Sequence, residues 1–152
     1  MKISLNKFLL IILFILNVSC KSENNILDPP LTISSECTSD VCISIQNVNL
    51  SSNVLEIWMV NNIPVAGFQF NISGITNISA SGGTAQSNGM SPSIGANIIL
   101  GFSLSGNSIP SGNSILTHIG FSEYNGSICL SDPVFSNNSG EALSVELGDC
   151  FN

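Results

Sequence analysis

Apolar and polar residues alternate along most of this chain, and the alternation defines its elements. Cys42, Ile43, Ile45 and Val48 suggest a first strand. Val54 to Val60 is a second, with Leu55, Ile57 and Met59 on one face and Glu56 and Trp58 on the other. After the Asn61-Asn62 turn, Pro64 opens a third strand in which Ala66, Phe68, Phe70 and Ile72 alternate with Gly67, Gln69 and Asn71. A period of two over this length marks a strand with one face in a core.

Residues 73–96 are rich in Gly and Ser, with short strand-like pieces such as Ile78 to Ala80. Asn97 to Ser105 reads as a strand with Ile98, Leu100, Phe102 and Leu104 in register, and Phe102 is placed on the core face with Phe68, Phe70 and Phe121. Ser114 to Ser122 puts Ile115, Thr117, Ile119 and Phe121 on one face. Ser127 to Leu130 and Val134-Phe135 are short pieces, and Leu143 to Leu147 is the last strand. No helical stretch and no internal repeat is expected. Seven to nine short strands separated by turns predict an all-β chain, an antiparallel β-sandwich of jelly-roll type.

The first twenty residues have another pattern. Lys2 and Lys7 precede the unbroken apolar run Phe8 to Leu16, then Asn17, Val18, Ser19 and Cys20. This is an export signal over residues 1–20, since spanning a bilayer takes roughly 20 apolar residues. Leu16-Asn17-Val18-Ser19-Cys20 resembles a bacterial lipobox, although Asn17 stands where an aliphatic residue is usual. The resemblance implies that Cys20 becomes the first mature residue and carries a diacylglycerol, giving a lipoprotein at the outer membrane or cell surface. Otherwise the chain is secreted. Residues 21–36, with Pro29-Pro30 and no periodic apolar pattern, read as a flexible tether. Residues 37–152 form the folded domain.

Charge narrows the function. The three basic residues are Lys2, Lys7 and Lys21, while all ten carboxylates lie from Glu23 onward. Nucleic-acid binding needs cations to displace phosphate counterions, and a Walker-type phosphate loop needs a lysine; both are excluded. Neutral polysaccharides, cations and protein partners remain. Cys37, Cys42, Cys129 and Cys150 read as disulfides in an exported domain. Four cysteines allow three pairings, and nearness in sequence favours Cys37–Cys42 and Cys129–Cys150. The second closes a loop of about 20 residues, worth roughly 3 kcal/mol by loop entropy.

Catalytic chemistry has few candidates. His118 is the single histidine, and no Gly-x-Ser-x-Gly elbow accompanies it. Asp132, Glu141 and Asp149 are the nearest thing to paired carboxylates. A small hydrolase using His118 or Asp132 is the weakest of the readings, and the chain is expected not to be an enzyme. Asp132, Asn137, Asn138 and Glu141 share a loop and offer oxygen ligands of the kind calcium takes. Trp58 and Tyr124 are the aromatics left over from the core faces, and so are candidates for stacking on a ligand such as a sugar ring.

The order of pieces carries a resemblance. Ala66-Gly67-Phe68-Gln69-Phe70, Ala80-Ser81-Gly82-Gly83, Leu100-Gly101-Phe102-Ser103, Ile109-Pro110-Ser111-Gly112, Ile128-Cys129-Leu130 and Leu147-Gly148-Asp149-Cys150 follow one another. Together they resemble the cohesin-like β-sandwich, related in fold to carbohydrate-binding modules, over about residues 41 to 150. The resemblance implies a non-catalytic binding module that contacts a protein, dockerin-like or another surface protein, or a polysaccharide. A single domain without a dockerin of its own departs from the scaffold pattern. The rival expectation is a structural or adhesion lipoprotein without a specific ligand.

Overall fold

The computed structural model describes residues 37–152. The readings placed on residues 1–36, including the signal, the tether and Cys20, lie outside the described residues. Nine strands run in chain order: β1 (Val41–Asn49), β2 (Val54–Asn61), β3 (Gly67–Thr76), β4 (Ser79–Ser81), β5 (Ser93–Gly95), β6 (Ile98–Phe102), β7 (Gly112–Gly120), β8 (Glu123–Ser136) and β9 (Val145–Leu147). They form two sheets, ordered β4-β7-β2-β1-β9 and β5-β6-β3-β8. The inner faces of both sheets supply one core. It includes Val41, Ile43, Leu55, Ile57 and Met59 from the first sheet, and Phe68, Phe70, Ile72, Ile99 and Phe135 from the second. Phe68 is central, stacked on Phe70 and Phe135 with ring centroids 6.1 and 5.9 Å away. The all-β sandwich expected from the alternation is the fold.

Several details differ from the sequence reading. A one-turn helix, α1 (Gly83–Ser87), is present; it buries Ala85 and makes room for itself with Gly83, where a Cβ would stand 2.4 Å from the Leu116 carbonyl oxygen. The pieces around Ser127 and Val134 belong to one strand, β8. Pro133 is accommodated there because β8 is an edge strand, and a bulge at Asp132 (φ 49°) absorbs the missing ladder bond. β9 runs parallel to β1, pairing Val41 with Val145 and Ile43 with Leu147, so the sheets are not wholly antiparallel.

In β7, Thr117, Ile119 and Phe121 are buried as expected, but a bulge opposite Ile57 and Trp58 inserts Leu116 into the core. Ile115 turns to the outer face as the partner of Trp58. Buried Thr117 is satisfied by donating its hydroxyl to the Ser81 carbonyl at 3.2 Å.

Both expected disulfides are formed, Cys37–Cys42 and Cys129–Cys150. The start of β1 is clasped to the start of β9 through Asp40 and Ser144. The Ser144 N–H and hydroxyl donate to Asp40 Oδ2 at 2.9 and 2.7 Å, and the Asp40 N–H donates to Ser144 Oγ at 2.9 Å. The backbone N–H of Ser144, and then its hydroxyl, hold the Asp40 carboxyl below its ordinary 3.8. A carboxyl lowered on folding stabilises the fold fully above its unfolded value and loses that contribution as pH falls through the folded one. Asp40→Ala is therefore expected to melt below the wild type at neutral pH, with the gap constant down to about pH 5 and narrowing below about pH 4. A series of thermal melts against pH checks this.

Candidate binding faces

Cross-strand partners point to the same side of a sheet, so β3 dictates which face of β6 is buried. Phe68 and Phe70 of β3 face the core, and their partners on β6 are Gly101 and Ile99. Ile98, Leu100 and Phe102 must then face outward. This reverses the expected phase: Phe102 is 50% exposed, Ile98 39%, Leu100 37%, and Leu104, just past the strand, 91%. Gly101 makes the reversal possible, because a Cβ there would stand 2.3 Å from Cζ of Phe68. The phenyl ring fills the space a side chain would need.

The outer face of the four-stranded sheet can be read in rows from the pairings. Phe102 lies beside Gly67, and Gly67 beside Ser136. In the next row Ser93, Leu100, Gln69 and Val134 follow one another across four strands, and below them come Gly95, Ile98, Asn71 and Ser131. Val134 is 57% exposed. Three apolar side chains thus stand along β6, a fourth stands two strands away, and Gln69 lies between. Gly67 puts no side chain beside Phe102, so one flank of the ring is open. Leu104 projects from a tight loop in which Ser103 Oγ accepts from the Asn107 N–H at 3.0 Å. At the margin, Asp132 Oδ2 accepts from Asn71 Nδ2 at 2.7 Å and from Ser131 Oγ at 3.1 Å, which places a carboxylate beside the apolar rows. The three apolar side chains of β6 are neighbours along one strand face and not singly scattered exposed residues.

The expected site residues fall in separate places. Asn137 and Glu141 come together: Asn137 Nδ2 donates to Glu141 Oε2 at 2.8 Å, and Asn137 Oδ1 accepts the N–H groups of Ser139 and Glu141. Asn138 is exposed in the same turn. Asp132 belongs to the other cluster, with Asn71. The oxygens of the loop thus face N–H groups, and among the described residues no three His, Cys, Asp or Glu side chains gather as a metal cage. A shallow hollow of about 160 Å³ adjoins this loop, lined by Ile63, Pro64, Asn137, Asn138 and Ser139. That is small for a ligand cleft, for which roughly 300–1,000 Å³ is usual.

Tyr124 is half-buried, packed on the core cluster and tilted against Phe151 at a centroid distance of 6.0 Å. Trp58 faces outward on the other sheet and is half-buried, as the alternation of β2 requires; its Nε1 donates to Glu56 Oε2 at 3.1 Å. His118 stands opposite Glu56, with Nε2 3.9 Å from Oε1, and among the described residues it makes no hydrogen bond to a serine.

The described residues thus offer two outward sheet faces, one bearing Ile98, Leu100 and Phe102 and the other Trp58, Glu56 and His118. No protein-family model matches the chain, and no curated protein does. Solved structures do. A non-cellulosomal cohesin from the hyperthermophilic archaeon Archaeoglobus fulgidus superposes with a TM-score of 0.50 at 13% identity, over 71% of this chain and 86% of that one. A type I cohesin–dockerin complex from Clostridium thermocellum gives 0.44 at 11% identity, over 72% and 88%. The ChBD3 domain of Thermococcus kodakarensis KOD1 gives 0.36 at 11% identity, over 70% and 91%. At such identities the archaeal match speaks to fold alone, and that fold is the cohesin-like β-sandwich.

Proposed function

We propose that this domain is a non-catalytic binding module, and that the outer face of β5-β6-β3-β8 docks a protein partner. The observation that carries the reading is the outward row Ile98, Leu100 and Phe102, flanked by Val134 and Leu104. Fully burying such a side chain contributes roughly 1.5–3 kcal/mol; Ile98 and Leu100 are already more than half buried, so docking recovers only part of that from them and more from Phe102, Val134 and Leu104. The mix of groups favours protein over polysaccharide. Sugar platforms need flat aromatic rings in series, whereas this face is mostly aliphatic, with Phe102 its one exposed aromatic.

Charge specifies the partner further. Asp40, Glu56, Glu123, Asp132, Glu141, Glu146 and Asp149 are set against no Lys or Arg in residues 37–152. With Asp132 at the edge of the apolar rows, the complementary surface has an apolar centre and a basic rim.

A photo-crosslinking residue placed at Leu104, in the full chain in the cell that makes it, tests the docking. One partner species should be captured from Leu104 and not from a control probe at the exposed turn residue Ser52, and Leu100→Asp should abolish it. Equal capture from both positions, or none, would sink the reading; an adduct between two copies of the chain would replace the partner by self-association, the adhesion alternative.

Surface anchoring through Cys20 belongs to the same proposal, supported by the lipobox-like Leu16-Asn17-Val18-Ser19-Cys20. Intact-mass analysis should find a mature N-terminus at Cys20 with added acyl mass, and Cys20→Ala should leave the membrane fraction. An unmodified chain beginning after Cys20 would remove the anchor.

A further inference from the structure

A second group of side chains, on the outer face of the other sheet, takes no part in the docking face. Glu56 of β2 lies between Gln46 of β1 and His118 of β7, its partners across the strands. Two donors orient its carboxylate: Trp58 Nε1 at 3.1 Å and Asn47 Nδ2 at 2.6 Å, both to Oε2. Oε1 is left with only the His118 Nε2 at 3.9 Å, outside hydrogen-bond range. Gly82 keeps the chain after β4 close to the imidazole, since a Cβ there would stand 2.9 Å from Nδ1.

Residues 37–152 contain no Lys or Arg that could pair with this carboxylate. The side chains sharing this face from β1 and β4, Ser44, Gln46, Ser79 and Ser81, are neutral. Glu56 is thus an oriented anion with one open oxygen, next to the indole of Trp58. The indole leans along its own strand toward Glu56, because Nε1 reaches a residue two positions away on the same face.

We propose that Glu56 and Trp58 form a second binding site, for an organic cation: an ammonium or guanidinium group carried by a peptide side chain or by an amino sugar. The cation would hydrogen-bond Oε1 and lie against the indole. Charge-assisted hydrogen bonds are the stronger kind, and Trp is the best aromatic partner for a cation. The prior orientation of Oε2 by Trp58 and Asn47 lowers the ordering cost of binding. This site is independent of the docking face, being on the opposite sheet.

Trp58 is the chain's one tryptophan, so its fluorescence reports on this site alone. The full chain is titrated at neutral pH with arginine amide, glucosamine, glucose and sodium chloride, the sodium chloride matching the ionic strength that the two organic cations add. Arginine amide, glucosamine or both should give a saturable change in emission, while glucose and sodium chloride give none; which of the two acts better distinguishes peptide from amino-sugar ligands. Glu56→Gln should weaken the response on the order of tenfold. In the wild-type protein the NMR signal of the Trp58 indole N–H should move on titration while the backbone amide of Gln69, on the other sheet, stays still. A response common to all four solutes, a Glu56→Gln curve matching the wild type, or an unmoved indole signal would overturn the site.

Discussion

Gly101→Ala is expected to destabilise this domain by about 2–3 kcal/mol, more than its one added methyl group would suggest. The new Cβ would lie 2.3 Å from Cζ and 2.5 Å from Cε1 of Phe68. That ring cannot retreat, since it is 2% exposed and held between Phe70 and Phe135. The strand would have to shift away from β3, breaking the ladder from Gly67 to Asn71. For a domain of this size the loss corresponds to roughly 10 °C in Tm, measurable by thermal melting. The companion variant Ile98→Ser should change stability by no more than about 0.5 kcal/mol, because Ile98 is on the wet face. If Ile98→Ser were the damaging change and Gly101→Ala the silent one, β6 would be in the opposite phase and the docking face would not exist.

The second large effect is on binding. Leu100→Asp combined with Phe102→Asp should weaken the docked partner by at least a hundredfold. Interface anchors commonly contribute 2–4 kcal/mol, and each aspartate would also add charge where apolar contact is needed. Stability should fall by less than about 1 kcal/mol, because neither side chain is in the core. The readout is titration calorimetry against the partner captured at Leu104, run beside thermal melts of the same variant. Loss of binding together with collapse of the melt would instead assign these residues to folding. Unchanged binding would move the interface to another part of the domain.

Most of the architecture was legible in the alternation, because β2 obeys a period of two throughout and β1 and β3 do so over their first halves, up to Gln46 and Ile72. Their partners across the sheets then follow from pairing. The disulfides were legible for a different reason: with four cysteines in residues 37–152, two short spacings favour one of the three pairings. The face of β6 is not legible from hydrophobicity, because here the more apolar face points outward. Ile98, Leu100 and Phe102 outscore Ile99, Gly101 and Ser103 as a core face, yet cross-strand geometry with Phe68 and Phe70 overrides that count. The usable signal was Gly101 itself: a glycine in the middle of a strand often marks close approach by another group.

The bulges at Leu116 and Asp132 were not readable, since a single extra residue leaves the flanking alternation intact on either side. As for sites, Trp58 was found as an outward aromatic. The sequence separated Glu56 from His118 by sixty-odd positions, and only the β2–β7 register brings them face to face. The acids of the calcium-like loop looked collective because they are close in sequence, but the bulge at Asp132 turns that carboxylate toward Asn71 and away from the Asn137–Glu141 turn.

The position of β1 has a mechanical consequence. It is flanked on one side by antiparallel β2 and on the other by parallel β9. A pull on the chain at Cys37 passes through the Cys37–Cys42 bond and enters β1 directly, leaving residues 38–41 slack. A load directed along the strand axis would then shear both ladders together. Resistance to such a load is set by the unfolding barrier and not by equilibrium stability. If the docking face holds a partner while the N-terminal side is tugged, that barrier, and not the melting temperature, is expected to set how long the domain survives.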